Sequence, residues 1–265
     1  MAASKSNITQ IERLDLIRQE LCNSGQVSTL ELSQKCKVSK ITIHRDFELL
    51  EASHEIIRTH GGAALAKKLT FEFAFSDKQQ LHQDKKKRIA RRAAELVKEA
   101  DVVLLDTGTT TLEISRVLAG EKKITVITTS LAIVSELQFS KNVEVILLGG
   151  FLRGNSPDIH GPLTEQNVEQ FRADIAFMGA DAIDENGNTY TDDLRVVNLD
   201  HKIASAAARV CVVADSSKFD KTAMCKVLRP QDYHKLLTDS DVNKKTLKKL
   251  QDRKIPIELA CERRM

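Results

Sequence analysis

Residues Val38 to Leu50 read Val-Ser-Lys-Ile-Thr-Ile-His-Arg-Asp-Phe-Glu-Leu-Leu and predict a short helix that decides the N-terminal fold. Ser39 is a favourable N-cap because its hydroxyl can accept from the free amides of the first turn. Ile43, Phe47 and Leu50 recur at helical spacing and are expected to pack inward. The outward positions then hold donors suited to phosphates and purine edges, namely Lys40, Thr42, His44 and Arg45.

The flanking sequence completes a DNA-binding domain. Upstream, the apolar spacing of Ile11, Leu14, Ile17 and Leu21 predicts a first helix that closes near Gly25. Ser28 or Thr29 would then cap a second helix that runs through Lys35. Downstream, Ile56 to Gly62 reads as a short strand with a basic residue and a glycine turn.

Helix, helix, turn, helix and wing is the order of a winged helix-turn-helix, which we assign to residues 8–66. The predicted partner of this domain is double-stranded operator DNA. The predicted DNA-binding residues are Ser39, Lys40, Thr42, His44, Arg45, Arg58 and His60.

Bulk composition limits the class of protein. The chain has 265 residues and a formal net charge of only +3, so DNA affinity must come from local clustering of charge. With no Trp, its cores are expected to be aliphatic. Five scattered cysteines without a C-x-x-C spacing favour reduced thiols over a zinc site, and no cofactor is expected. Neither a signal sequence nor an apolar run of about 18 residues is evident. We therefore expect a soluble, cytoplasmic protein with no membrane partner.

A basic run, residues 85–92, follows a predicted linker over residues 67–84 and opens a helix that should continue to about Glu99. One interpretation is a nucleic-acid contact. The other is a solvated helix face with Ile89, Ala93 and Leu96 buried beneath it. Basic runs on exposed helices are common, which favours the second interpretation without excluding DNA contact.

From Asp101 onward, short aliphatic strands alternate with helical patterns, which indicates a parallel sheet covered on both faces. The predicted strands are Val102–Leu105, Ile124–Thr128, Val143–Leu148, Ile175–Met178, Val210–Val213 and Lys235–Leu237. The predicted helices are Thr110–Ala119, Leu131–Gln138, Leu163–Gln170, Val196–Arg209 and Asn243–Arg253. The fold class is thus α/β, with a winged helix-turn-helix followed by a parallel-sheet effector domain over residues 85–259.

Residues 106–111, Asp-Thr-Gly-Thr-Thr-Thr, follow a buried strand and open a helix. Gly108 permits a tight turn, after which hydroxyls and free amides converge at the positive end of the helix. A phosphate or carboxylate could be held there without a charged side chain. A plain strand-to-helix turn with a Thr cap is the alternative, but three consecutive Thr residues exceed what capping needs.

Further polar segments would end strands at the same edge, where ligands bind in open parallel sheets. They are Thr128-Thr129-Ser130, the Gly149-Gly150 pair with Arg153 nearby, Asp215 to Phe219, and Met178 to Asp184. We prefer ligand hydroxyl binding by Asp181 to acid–base chemistry, and a turn at Asp184 to Gly187. The predicted effector-binding residues are Asp106, Thr107, Gly108, Thr109, Thr110, Thr111, Ser130, Gly149, Gly150, Arg153, Asp181 and Lys218.

These motifs together resemble the DeoR family of bacterial sugar-metabolism regulators over nearly the whole chain. Val38–Leu50 is similar to the family pattern Val-Ser-x-x-Thr-Ile-x-Arg-Asp-x-x-x-Leu, and His60-Gly61-Gly62-Ala63 is similar to its wing ending. The second domain matches at residues 106–110, 148–150, 177–179 and 215–219. His44 departs from the family's usual Arg, and Thr129 from its common Asn. The nearest candidates for the family's acidic residue are Asp192 and Asp193.

The resemblance implies a repressor whose C-terminal domain binds a phosphorylated sugar or a related metabolite. That domain resembles ribose-5-phosphate isomerase, but Met178 and Thr191 stand near its catalytic Asp and Lys. Sugar-phosphate binding is therefore expected to persist while proton transfer is lost. A single head buries too little surface for tight binding, so a homo-oligomer, either a dimer or a tetramer, is expected.

Two other interpretations stay open at this point. One is a sugar-phosphate isomerase-like enzyme with an attached DNA-binding head. The other is an architectural DNA binder with a vestigial second domain.

Overall fold

The computed structural model describes residues 8–52, 55–65, 75, 78–120, 122–154 and 156–260. The chain divides into two compact units: the first comprises Met1–Ser76 and Gly154–Ser156, and the second comprises Asp77–Arg153 and Pro157–Met265. Most of the predicted linker, residues 67–84, lies outside the described residues. The predicted domain bounds at 66 and 85 therefore remain predictions.

Over residues 8–52 the first unit contains the helices α1 (Gln10–Ser24), α2 (Thr29–Cys36) and α3 (Lys40–Ala52). A capping box between Thr9 and Glu12 starts α1, and Gly25 in the left-handed conformation ends it. Ser28 is the N-cap of α2, with its side chain accepting from the amide of Leu30. The predicted helix order is confirmed.

A three-stranded antiparallel sheet forms the wing, in the order β1 (Gln26–Ser28), β3 (Gly62–Leu65), β2 (Ile56–Thr59). The β2–β3 hairpin turns through His60 and Gly61. A Cβ atom on Gly62 would lie 1.9 Å from the carbonyl oxygen of Val27, so only glycine permits this close strand pairing. The wing is confirmed, and its return strand adds to what the sequence predicts.

The core of the first unit is aliphatic around one buried aromatic ring. Its fully buried side chains include Ile17, Ile43 and Phe47. Ile11 departs from the predicted pattern, since 73% of its surface is exposed. It occupies the first turn of α1, where the helix begins beyond the edge of this core.

The second unit contains a seven-stranded, entirely parallel sheet. Its strands are β4 (Val102–Leu105), β5 (Ile124–Thr128), β6 (Val143–Leu147), β9 (Ile175–Met178), β12 (Val210–Val213), β14 (Lys235–Asp239) and β15 (Ile257–Ala260). They lie side by side in the order β15-β14-β12-β9-β4-β5-β6. All four residues of β9 and of β12 are buried, so both faces of the sheet centre are covered.

Six of these strands agree with the sequence prediction to within two residues, and β15 was not predicted. Also absent from the prediction are five two- or three-residue strands in accessory pairings: β7 (Phe151–Leu152), β8 (Ile159–His160), β10 (Ala182–Ile183), β11 (Thr189–Thr191) and β13 (Cys225–Lys226).

Within the described residues, the second unit includes the helices α4 (Gln83–Ala94), α5 (Thr109–Leu118), α6 (Leu131–Leu137), α7 (Pro162–Val168), α8 (Val197–Ser205) and α9 (Lys244–Asp252). The predicted C-terminal ends of two of these helices, α4 and α8, are wrong. α4 stops at Ala94 rather than near Glu99, because tight backbone bonds from Leu96 to Ala93 and from Val97 to Ala94 close its last turn. α8 stops at Ser205, because the following residues bond to the backbone of Ala173 instead.

The basic run on α4 forms ion pairs within its own unit. Lys85 and Arg88 lie 3.2 Å and 3.3 Å from a carboxylate oxygen of Asp241, and Arg92 pairs with Glu258. Ile89 and Ala93 are buried and Leu96 is half-buried. These contacts favour a solvated helix face over a dedicated nucleic-acid contact.

Candidate DNA-binding surface and switch-point site

The exposed face of α3 carries most of the predicted DNA-binding side chains. Ser39 caps the helix, with its hydroxyl accepting from the amide of Thr42 at 3.2 Å. Lys40 and Arg45 are exposed, and Thr42 and His44 are half-buried. On the wing, His60 is exposed at the hairpin turn. A set of donors is thus presented on one helix and on the adjoining turn.

Arg58 contacts α3 rather than standing apart on the wing. Its Nη2 lies 2.6 Å from His44 Nδ1, and its guanidinium carbon lies 5.5 Å from the centre of the Phe47 ring. Arg58, which the sequence predicts as a DNA-binding residue, is therefore already engaged in two contacts inside the unit.

Asp46 lies on the buried face of α3 and attaches this helix to α1. Its carboxylate accepts two hydrogen bonds from Arg13, at 2.7 Å from Nε and 3.0 Å from Nη2. Asp46 is fully buried and Arg13 nearly so. The pair fixes α3 against α1, a role that the sequence analysis did not assign.

In the second unit, most of the predicted effector residues follow strands β4, β5, β6 and β9, around the point where the strand order reverses. From β4 the chain proceeds to β5 and β6 on one side, and later to β9, β12 and β14 on the other. Asp106 follows β4, and its Oδ2 accepts from the amide of Gly179, which follows β9, at 3.1 Å. Ligands bind at such topological switch points. We call residues 106–110, 129, 149–153, 181 and 200 the switch-point site.

The N-terminus of α5 opens into the switch-point site. Gly108 is its N-cap, and Thr107, Gly108 and Thr109 are partly exposed. The first amides of a helix have no partner within it, so they are available to an anion. Thr110 is largely buried. Thr111 is fully buried, and its hydroxyl donates to the carbonyl of Gly108 at 3.0 Å, so it stabilises the turn instead of facing a ligand.

The ends of β5 and β6 supply a second side of the site. Ser130 is buried and accepts from the amide of Ile133, so its hydroxyl caps α6. The buried Thr129 hydroxyl has no hydrogen-bond partner among the described residues. A Cβ atom on Gly150 would lie 2.0 Å from the Thr164 hydroxyl, so glycine is needed for this close packing. Gly149 is partly exposed beside it.

Asp181 and Lys218 lie on the other side of the switch point. Asp181 Oδ2 accepts from the Thr191 hydroxyl and from the Asp192 amide, each at 3.3 Å, and its Oδ1 lies 3.5 Å from Lys78 Nζ. Lys218 ends a short 3-10 turn after β12 and is half-buried. Thr191 carries no amine and Met178 has no ionisable group, so neither side chain can act as a general acid or base.

Aspartates dominate the electrostatics of the site. Burial raises the pKa of Asp106 to about 7, against the opposing effect of hydrogen bonds from the amides of Thr107 and Gly179. Burial, together with the nearby Asp106 carboxylate, also raises the pKa of Asp200. Arg153 partly offsets this charge, at 3.2 Å from Asp158 and 3.5 Å from Asp193.

Asp200 was absent from the sequence-based site, although its position could have been found. It lies on α8, four residues after the buried Val196 and three residues before the buried Ile203, and it is itself half-buried. A carboxylate that interrupts a buried helix face needs a partner or a function. The turn predicted at Asp184 is confirmed, since its carboxylate accepts from the amides of Asn186 and Asn188.

An open depression of about 450 Å³ lies at the amino-terminal ends of β5 and β6, whereas the switch-point site lies at the carboxyl ends of the strands. The depression is lined in part by Lys123, Thr125 and Lys141. None of the predicted effector residues lies there. Within the described ranges, no cluster of His, Cys, Asp and Glu is arranged to hold a metal ion. None of the helices in the described part of the chain is long and apolar enough to span a membrane.

Comparison with known proteins agrees with this two-part organisation. The DeoR-like helix-turn-helix domain matches residues 13–69, and the DeoR C terminal sensor domain matches residues 81–240. The chain is 30% identical to the glycerol-3-phosphate regulon repressor of Escherichia coli (strain K12), covering 93% of this chain and 96% of the repressor. It is also 30% identical to an L-fucose operon activator of Haemophilus influenzae, covering 81% and 86%.

Among solved structures, a D-ribose-5-phosphate isomerase in complex with phospho-erythronic acid aligns with 52% of this chain and 55% of its own, at a TM-score of 0.40 and 22% identity. The two domain matches cover most of the chain and are those of regulators, which favours a regulator over the enzyme alternative. The chain belongs to the DeoR family of transcriptional regulators.

Proposed function

We propose that the protein represses a carbohydrate-metabolism operon and leaves its operator when a phosphorylated sugar occupies the switch-point site. The observation that carries the proposal is the meeting of a helix N-terminus with a group of carboxylates at the reversal of strand order. The names of the two relatives, a glycerol-3-phosphate regulon repressor and an L-fucose operon activator, support the carbohydrate assignment.

The two halves of the site suit the two ends of a sugar phosphate. The phosphate would accept from the amides and the Thr109 hydroxyl at the N-terminus of α5. The sugar hydroxyls would donate to Asp181 and Asp200 and bond to the Thr129 hydroxyl. Because the pKa of Asp106 is raised to about 7, its carboxyl group is only partly ionised near neutral pH, which would reduce its repulsion of a phosphate.

The DNA end of the proposal uses α3 in the major groove, with Arg45 and Thr42 as the main base contacts and Lys40 on phosphate. One such head buries too little surface for tight specific binding, so we propose that a dimer or tetramer occupies repeated half-sites. Footprinting the DNA upstream of the protein's own gene, with and without sugar phosphates, tests both ends of the proposal.

Lys78 is the residue through which we propose that ligand binding affects DNA binding. It lies near the start of the second unit, and its side chain pairs with Asp181. The buried Lys86 donates to the carbonyl of Lys78, and to that of Leu81 at 2.7 Å. A sugar hydroxyl that takes Asp181 would displace the Lys78 side chain. Coupling of about 1–3 kcal/mol between ligand and DNA would suffice for regulation.

Arg45→Ala should weaken operator binding by about 1–3 kcal/mol if Arg45 contacts a base edge. The measurement is an electrophoretic shift titration at fixed salt, with an unrelated duplex of equal length as the reference. A loss of affinity for the operator alone would support a contact between Arg45 and a base edge. Equal loss on both duplexes would assign Arg45 to phosphate, and unchanged binding would remove it from the interface.

Thr109→Val combined with Asp181→Asn should preserve DNA binding and abolish release by a sugar phosphate. The valine removes a hydroxyl from the phosphate end, and the amide cannot replace both acceptor roles of the carboxylate. Release is measured by titrating operator complexes with pentose phosphates, hexose phosphates and glycerol 3-phosphate.

Thr125→Val is the matched control, because Thr125 is also partly exposed but lies at the opposite edge of the sheet. It should respond to the sugar phosphates as the parent protein does. Normal release of the double variant would show that the site lies elsewhere. A parent protein that binds operator but responds to none of these compounds would favour the architectural interpretation.

A further inference from the structure

We propose that Arg58 is a positioning residue that fixes the tautomer of His44, so that α3 offers a single N–H donor to a base edge at this position. The proposal rests on the proposed insertion of α3 in the major groove. It concerns which base pair is preferred, and is independent of the effector.

The tautomer follows from hydrogen-bond chemistry. A guanidinium can only donate, so the 2.6 Å contact between Arg58 Nη2 and His44 Nδ1 requires Nδ1 to accept. An imidazole whose Nδ1 accepts carries its proton on Nε2. The donor that His44 can offer to DNA is therefore Nε2–H.

The geometry also holds Arg58 in place. Its guanidinium lies over the ring of Phe47, which is fully buried in the core of the first unit. The His44 ring meets the same Phe47 ring edge-on, at 6.5 Å and 78°. Phe47 thus orients both members of the pair, and the contact joins β2 of the wing to α3.

A lone N–H donor selects a base acceptor in the major groove, meaning a purine N7, guanine O6 or thymine O4. It disfavours the amino groups of adenine and cytosine at the contacting atom. An arginine at this position would instead present a fork of donors that suits guanine O6 and N7 together. The pair should therefore give this protein a base preference different from that of an otherwise identical chain with arginine at position 44.

The test is selection of bound duplexes from a pool randomised over one half-site, using the full-length chain and four variants. His44→Leu removes the donor, Arg58→Ala removes its positioning partner, and His44→Gln retains an acceptor for Arg58 and a donor for the base. Lys40→Ala is the matched control, because it removes an exposed cation from the same helix without touching the pair.

We expect His44→Leu and Arg58→Ala to lose about 2- to 10-fold of discrimination at the same base pair, the effect of one neutral hydrogen bond. His44→Gln should retain the preference. Lys40→Ala should weaken binding to every sequence and make it less dependent on salt, with the preference unchanged. A merely structural role for Arg58 would lower affinity without moving the preference.

The proposal is overturned if Arg58→Ala keeps the base preference and the discrimination of the parent protein, or if Arg58→Ala and His44→Leu act at different base pairs. If the parent protein selects no sequence at all, the proposed insertion of α3 in the major groove is wrong. That result differs from the two above, so a failure of the proposed function can be told apart from a failure of the Arg58 proposal.

Discussion

Asp46→Asn should unfold the DNA-binding unit and abolish operator binding, even though Asp46 is buried away from DNA. The substitution leaves the Arg13 guanidinium buried without a counter-charge, which costs about 3–5 kcal/mol. A small domain has a total stability near the lower end of about 5–15 kcal/mol, so this loss removes most of it. Hydrogen–deuterium exchange should show lost protection over residues 8–65 and retained protection over residues 101–260.

Two variants make this prediction specific. Arg13→Met with Asp46→Leu removes both charges and should recover much of the stability, because an apolar pair of similar volume can replace a buried ion pair. Glu55→Gln breaks the more exposed pair with Arg18 in the same unit, and should cost less than about 1 kcal/mol. If Asp46→Asn is no more damaging than Glu55→Gln, the buried pair does not hold α1 and α3 together.

The regular elements of the fold were predictable because their local pattern states which face is buried. β4 and β12 are continuous apolar runs and agree with the prediction to the residue. β15 was missed because it is an edge strand with the charged Glu258 at its centre. Glu258 is accommodated by Arg92 and Lys235, which are remote in sequence. The short strands β7, β8, β10 and β13 contain too few residues to show a period.

The location of the switch-point site was predictable, but the role of each of its side chains was not. Parallel strands end at one edge, so polar residues after β4 and β9 had to meet. Thr109 and Thr111 look alike in the sequence, yet two residues along a helix turn one outward and the other into the core. The burial of Asp46 and the partner of Arg58 depend on distant segments, and no local pattern contains them.

The stability of the second unit should fall as pH rises from about 4 to 7, and Asp106→Asn should remove much of this fall. The unfolded chain releases the Asp106 proton near pH 4, while the folded protein keeps it until about pH 7. Between these values the folded state binds more protons, so raising the pH favours unfolding. A shift of about three pKa units corresponds to an upper limit of about 4 kcal/mol.

The measurement is urea unfolding of the second unit at several pH values between 4 and 8, for the parent protein and for the variant. The amide side chain of the variant stays neutral throughout, so its stability relative to the parent should grow up to about pH 7 and then level off. Near pH 4 the variant should be slightly less stable, because an amide oxygen cannot satisfy both the Thr107 and the Gly179 amides as well as a carboxyl group.

Asp192→Asn is the control, since it makes the same change of side chain at an exposed aspartate of the same unit. The Asp106 variant should also bring the pKa of Asp200 down, because the Asp106 carboxylate is one of the causes that raise it. Parallel loss of stability in the parent and in Asp106→Asn would show that Asp106 is already ionised in the folded protein. The switch-point site would then hold a full cluster of negative charge, and a phosphorylated ligand would be the wrong occupant for it.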